Sequence, residues 1–100
     1  MSELMLNLNS QIQAADDQVS SSVAGEAVIL NLKTGTYHSL NPVGARIWQL
    51  IQEPKTVREI LDTLCTEYDV DLNVCEQDLQ ELLTKLEVAQ LIETNDAKTV

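Results

Sequence analysis

His38 is the one side chain in this 100-residue sequence whose ordinary pKa lies near neutrality, which makes it the first candidate for acid-base chemistry. Its surroundings, Thr36-Tyr37-His38-Ser39-Leu40, read as a strand, where a histidine more often packs or hydrogen-bonds than catalyses. The chain has no nucleophile elbow and no phosphate-cradling loop, and only three glycines in all. Cys65 and Cys75 fall in helical apolar patterns with no signal peptide ahead of them, so they read as reduced core thiols. A zinc site wants several Cys or His ligands at close spacing, which a lone histidine does not supply. Asp16-Asp17 and the pair Asp69 and Asp71 read as solvated acids at element ends. No enzymatic activity, metal or cofactor is expected, so the function is sought in binding.

A hydrophobic content of 44% over this length supports one domain with a single core. The formal charge is −10 with only six basic residues, which argues against nucleic acid, because affinity for phosphates rests on Lys and Arg. The charge is uneven: residues 56–100 hold eleven acids and three bases, net −8, whereas residues 26–55 hold two acids and three bases, net +1. An interaction surface in the middle of the chain would therefore be nearly neutral and flanked by acidic helices. No apolar run approaches the ~18 residues of a membrane span. The expectation is a soluble, cytoplasmic protein with no membrane or nucleic-acid partner.

The elements that must position any site follow from periodicity. Leu4, Leu6 and Leu8 alternate within the first 17 residues and predict a weak strand or docked arm. VSSSVA and EAVILNL read as two strands joined by a tight turn at Ala24-Gly25, and Lys33-Thr34-Gly35 supplies a second turn before the strand TYHSL. The result is a three-stranded antiparallel meander. Alternation puts Tyr37 and Ser39 on one face, and His38 with Leu40 on the other, facing the helices. Asn41-Pro42 then switches strand to helix, with Asn as cap and Pro at the first helical position.

Val43, Ile47, Trp48, Leu50 and Ile51 continue that helix until Glu53-Pro54, and Thr56 with Glu59 forms a capping box for a second. A third begins near Asp71 to Asn73, with Leu79, Leu82, Leu83 and Leu86 in one stripe bordered by Asp78, Glu81 and Lys85. Gln90-Leu91-Ile92 either ends it or adds a short strand. The fold class is α+β, three strands followed by three helices that cover one face of the sheet. Residues 1–17 form a partly ordered arm, 18–93 the domain, and 94–100 a disordered tail.

A meander has two edges, and an unpaired edge offers N–H and C=O groups to another chain. If the strand TYHSL is outermost, it and the third helix make a groove for an extended peptide, unless the arm or tail covers it. The same edge can pair with a second copy, giving a homodimer through the strand.

Residues 26–48, EAVILNLKTGTYHSLNPVGARIW, with TVREILDTL and LEVAQLIE downstream, resemble the PqqD-like family, also described as RiPP recognition elements. The carrying motifs are Thr34-Gly35-Thr36-Tyr37 and Leu40-Asn41-Pro42-Val43-Gly44-Ala45-Arg46-Ile47-Trp48. The sequence departs at Ala89-Gln90-Leu91, where family members often carry a glycine before the final apolar pair. The resemblance implies a winged-helix-like fold without enzymatic activity. It implies binding of the leader peptide of a ribosomally made precursor as an added strand, and presentation to a modifying enzyme of the same pathway, a leader peptidase or radical-SAM protein. Free-standing chains of this length are similar to those of lasso-peptide and pyrroloquinoline quinone pathways. Carried onto this chain, the peptide-binding residues are Thr36, Tyr37, His38, Ser39 and Leu40 on the strand and Asp78, Glu81, Leu82 and Lys85 on the helix. A winged-helix DNA-binding module is the alternative for the same architecture, and its recognition helix would be the acidic third one.

Overall fold

The computed structural model describes residues 8–95. In chain order the elements are β1 (Gln11–Ala14), β2 (Gln18–Val23), β3 (Glu26–Asn31), β4 (Tyr37–Leu40), α1 (Pro42–Leu50), β5 (Lys55–Thr56), α2 (Val57–Glu67), α3 (Leu72–Val88) and β6 (Ile92–Asn95). The expected meander is present as β2-β3-β4, antiparallel throughout. Ala24 and Gly25 take φ of 54° and 83°, the left-handed pair that a two-residue hairpin turn requires. The α+β, winged-helix-like reading thus describes the molecule.

A second antiparallel sheet, β5-β1-β6, was not foreseen. β1 comes from the arm and pairs with both β5 and β6, Ile12 lying opposite Thr94 and Ala14 opposite Ile92. A four-residue strand with two apolar positions carries too little pattern to be read alone, and its partners are distant in sequence. Thr94 and Asn95, expected to begin a disordered tail, are the last residues of β6. Of the expected arm alternation, Leu4 and Leu6 lie outside the described residues, and half-buried Leu8 packs on the core.

The core gathers Ile12, Ile29, Leu40, Ile47, Trp48, Ile60, Leu64, Leu79, Leu83 and Leu86 between the helices and the sheets. Each helix start uses the device its sequence announces. Asn41 Oδ1 accepts from Gly44 N–H (2.8 Å) with Pro42 at the first position, Thr56 and Glu59 form a reciprocal capping box, and Asp71 accepts from Asn73 N–H. Trp48 satisfies its buried indole by donating from Nε1 to Ser20 Oγ (3.2 Å), which ties α1 to β2. Gly44 lets α1 close on the end of β4, since a Cβ there would stand 3.1 Å from Leu40 Cβ.

The end of α3 explains the sequence departure at Ala89-Gln90-Leu91. Gln90 N–H donates to Glu87 C=O and Leu91 N–H to Leu86 C=O, the paired bonds of a Schellman cap, and Gln90 sits at φ 62°. A side chain in that left-handed conformation costs about 1–2 kcal/mol relative to glycine, partly offset by glycine's greater unfolded-state entropy. Gln90→Gly is therefore expected to stabilise the domain by about 1 kcal/mol, raising the thermal midpoint by about 4–8 °C in a calorimetric scan.

Candidate functional site: an open strand edge beside an apolar groove

β4 is an outer strand, hydrogen-bonded to β3 on one side and to no other strand among the described residues. Its register with β3 sets Leu30 opposite Tyr37, Ile29 opposite His38, Val28 opposite Ser39 and Ala27 opposite Leu40. Asn31 N–H donates to Thr36 C=O (2.9 Å), so Thr36 directs its carbonyl to β3. Alternation in an antiparallel ladder then gives His38 and Leu40 the same direction and turns the N–H and C=O of Tyr37 and Ser39 outward. Two residues of β4 thus present a free pair of donors and acceptors. The arm and the start of the tail, in β1 and β6, pair with each other and not with this edge.

The buried side chain of Asn31 holds this strand in place. Its Oδ1 accepts from Lys33 N–H (2.8 Å) and Thr34 N–H (3.3 Å), shaping the turn into β4, while its Nδ2 donates to Ala89 C=O (2.8 Å) at the end of α3. Gly35, at φ 74°, completes the turn by donating from its N–H to Asn31 C=O. One residue therefore joins the hairpin to the helix that faces it. The sequence reading assigned the turn to Lys33-Thr34-Gly35 and missed Asn31, because an asparagine at a strand end looks like ordinary turn chemistry.

Beside β4 lies a groove of about 480 Å³, bounded by the end of β4, α1, the α2–α3 turn and α3. Of the residues named from sequence, Ser39, Leu40, Asp78, Glu81, Leu82 and Lys85 line it; Thr36, Tyr37 and His38 lie on the preceding stretch and do not. Tyr37 is 71% exposed on the outer face of the sheet. His38 is half-buried on the Leu40 side and shares a hydrogen bond with Thr36 Oγ1 (3.2 Å), which in turn meets Thr34 Oγ1 (2.7 Å). It has the partners of a structural histidine. Leu82 is half-buried between core and groove.

The residues the sequence reading missed are the apolar floor and far wall: Val43, Tyr68, Val70 and Val74. Val43, Val70 and Val74 are 43%, 47% and 54% exposed, a cost in water unless something covers them. Of these only Val74 carried a signal, an apolar residue out of step with the buried stripe of α3, whereas Val43 is in step with Ile47 and Val70 lies between helices. On α3 the core takes Cys75, Leu79, Leu83 and Leu86, whereas the groove takes Val74, Asp78, Glu81 and Lys85 on the adjoining face.

Cys75 lines the groove but is buried; burial, and then the neighbouring Cys65, push its thiol up, away from the reactive thiolate. Among the described residues no cluster of three His, Cys, Asp or Glu could hold a metal ion, and no helix is long and apolar enough to cross a membrane. Near the groove, Arg46 makes a two-pronged pair with Glu67 (2.9 and 2.7 Å), bracing α1 against α2 and holding the Glu67 carboxyl below its usual range.

Residues 26–92 match the family model for coenzyme PQQ synthesis protein D (PqqD). The chain belongs to the PqqD family. Two solved structures resemble this PqqD-family domain. TbiB1, in complex with the TbiA(beta) leader peptide, is 40% identical with a TM-score of 0.76, over 88% of this chain and 99% of that one. A lasso peptide synthetase B1 complexed with the leader peptide is 22% identical with a TM-score of 0.72, over 82% and 96%, and shares the fold. Comparison with curated proteins gives no match.

Proposed function

We propose that this PqqD-family protein is a non-catalytic adaptor that takes up the leader peptide of a ribosomally made precursor as an added strand and presents it to a modifying enzyme. The observation that carries this reading is the outward-directed backbone of Tyr37 and Ser39 beside the exposed valines of the groove. Strand addition takes its affinity from main-chain hydrogen bonds and its selectivity from pockets for alternate side chains, and both halves of that arrangement are present. The likeness to TbiB1, solved with a leader peptide, supports it. The partner is then a leader peptidase or radical-SAM enzyme in the cytoplasm, and tethering raises the precursor's effective concentration there. A second copy pairing through β4 would occupy the same edge, so a homodimer would compete with the leader.

The DNA-binding alternative finds no support. α3 would be the reading helix, yet its groove side offers one lysine, Lys85, against Asp78 and Glu81.

An amide NMR titration with the TbiA(beta) leader tests the proposal. Shifts concentrated on residues 36–41 and along the Val74-to-Lys85 side of α3 are expected. Shifts confined to another surface would displace the site.

A further inference from the structure

Resting on the leader-binding reading, a further property concerns which leaders the groove accepts. The bond from Asn31 Nδ2 to Ala89 C=O holds the C-terminal end of α3 beside the start of β4. Lys85, about one turn before Ala89, therefore lies toward the Tyr37 end, and Asp78 and Glu81 lie further along, toward Leu40 and Val43. All three charged residues are exposed, line the groove and have no ion-pair partner among the described residues. The groove thus carries a charge gradient along its length, negative at one end and positive at the other, above an apolar floor.

We propose that α3 selects leader segments by charge polarity, favouring a basic side chain over Asp78 and Glu81 and an acidic one over Lys85. Spacing sharpens the rule. The midpoint of Asp78 and Glu81 lies about 8 Å from Lys85 along the helix axis, close to the ~7 Å between same-face residues of a strand. The two preferred charges therefore fall two residues apart in the leader, both facing α3. The same gradient favours one direction of the peptide along β4, because reversal places like charges together.

The test uses the TbiA(beta) leader as parent, with Lys and then Glu placed at each position in turn, and affinities measured by fluorescence anisotropy against three proteins. In the wild type, one position prefers Lys over Glu and a position two residues away prefers Glu over Lys, each by about two- to fivefold, the range of exposed ion pairs. In the doubly reversed Asp78→Lys, Glu81→Lys protein the first preference inverts, and in Lys85→Glu the second does. Both preferences shrink as salt is raised. Parent binding with identical Lys and Glu profiles in all three proteins overturns the polarity rule and leaves leader binding standing. Failure of every peptide to bind the folded wild type removes leader binding itself, and the rule with it.

Discussion

Ser39→Pro is expected to weaken leader binding by about tenfold or more while the domain stays folded. The N–H of Ser39 points away from β3, so proline there removes an edge donor without taking a bond from the β3–β4 ladder. The preceding His38 is already in a strand, the conformation that a following proline requires. The loss combines one hydrogen bond with a leader carbonyl left unpaired, about 1–3 kcal/mol. His38→Pro, one residue earlier, is the internal contrast: it deletes an N–H that faces β3 and should lower the unfolding midpoint as well as affinity. Calorimetric titration beside a thermal melt of both variants measures each half. Full affinity in a folded Ser39→Pro protein would show that the leader does not pair with this edge.

Asn31→Ala is expected to destabilise the domain by about 2–4 kcal/mol, because it withdraws one acceptor from two backbone N–H groups and one donor from the Ala89 carbonyl. Urea unfolding reads the change as a lower midpoint with an unaltered slope. Asn31→Asp separates the two roles. The carboxylate still accepts from Lys33 and Thr34, so the turn survives, but nothing donates to Ala89 and the end of α3 is released. Leader affinity should then fall out of proportion to stability, since the groove needs α3 held beside β4. If Asn31→Asp is as stable as the parent and binds equally well, the tie to α3 has no part in shaping the groove.

Much of this architecture could be read along the chain because its signals are local. The caps at Asn41 and Thr56, the hairpin at Ala24-Gly25, and the alternation placing Leu40 inward and Tyr37 outward each depend on a few neighbouring residues. The family motif extended that reading to the strand and helix that bound the site.

Four features were decided only in three dimensions. β1 forms because Ile12 and Ala14 find β5 and β6, some 40 to 80 residues away, and a four-residue strand has no stability or pattern without those partners. Asn31 became a tie between hairpin and helix because folding brought Ala89 to it. The groove gathers Val43, Val70 and Val74 from three separate segments, none of which shows by itself that its valine stays exposed. Finally, which backbone groups of β4 face outward is a matter of register, and a shift of one residue would exchange Ser39 for His38 at the edge. The sequence by itself determined the β2-β3-β4 meander, the three helices that follow it and the family. Only the tertiary structure decided what those elements leave uncovered, because exposure depends on partners that sequence neighbours do not report.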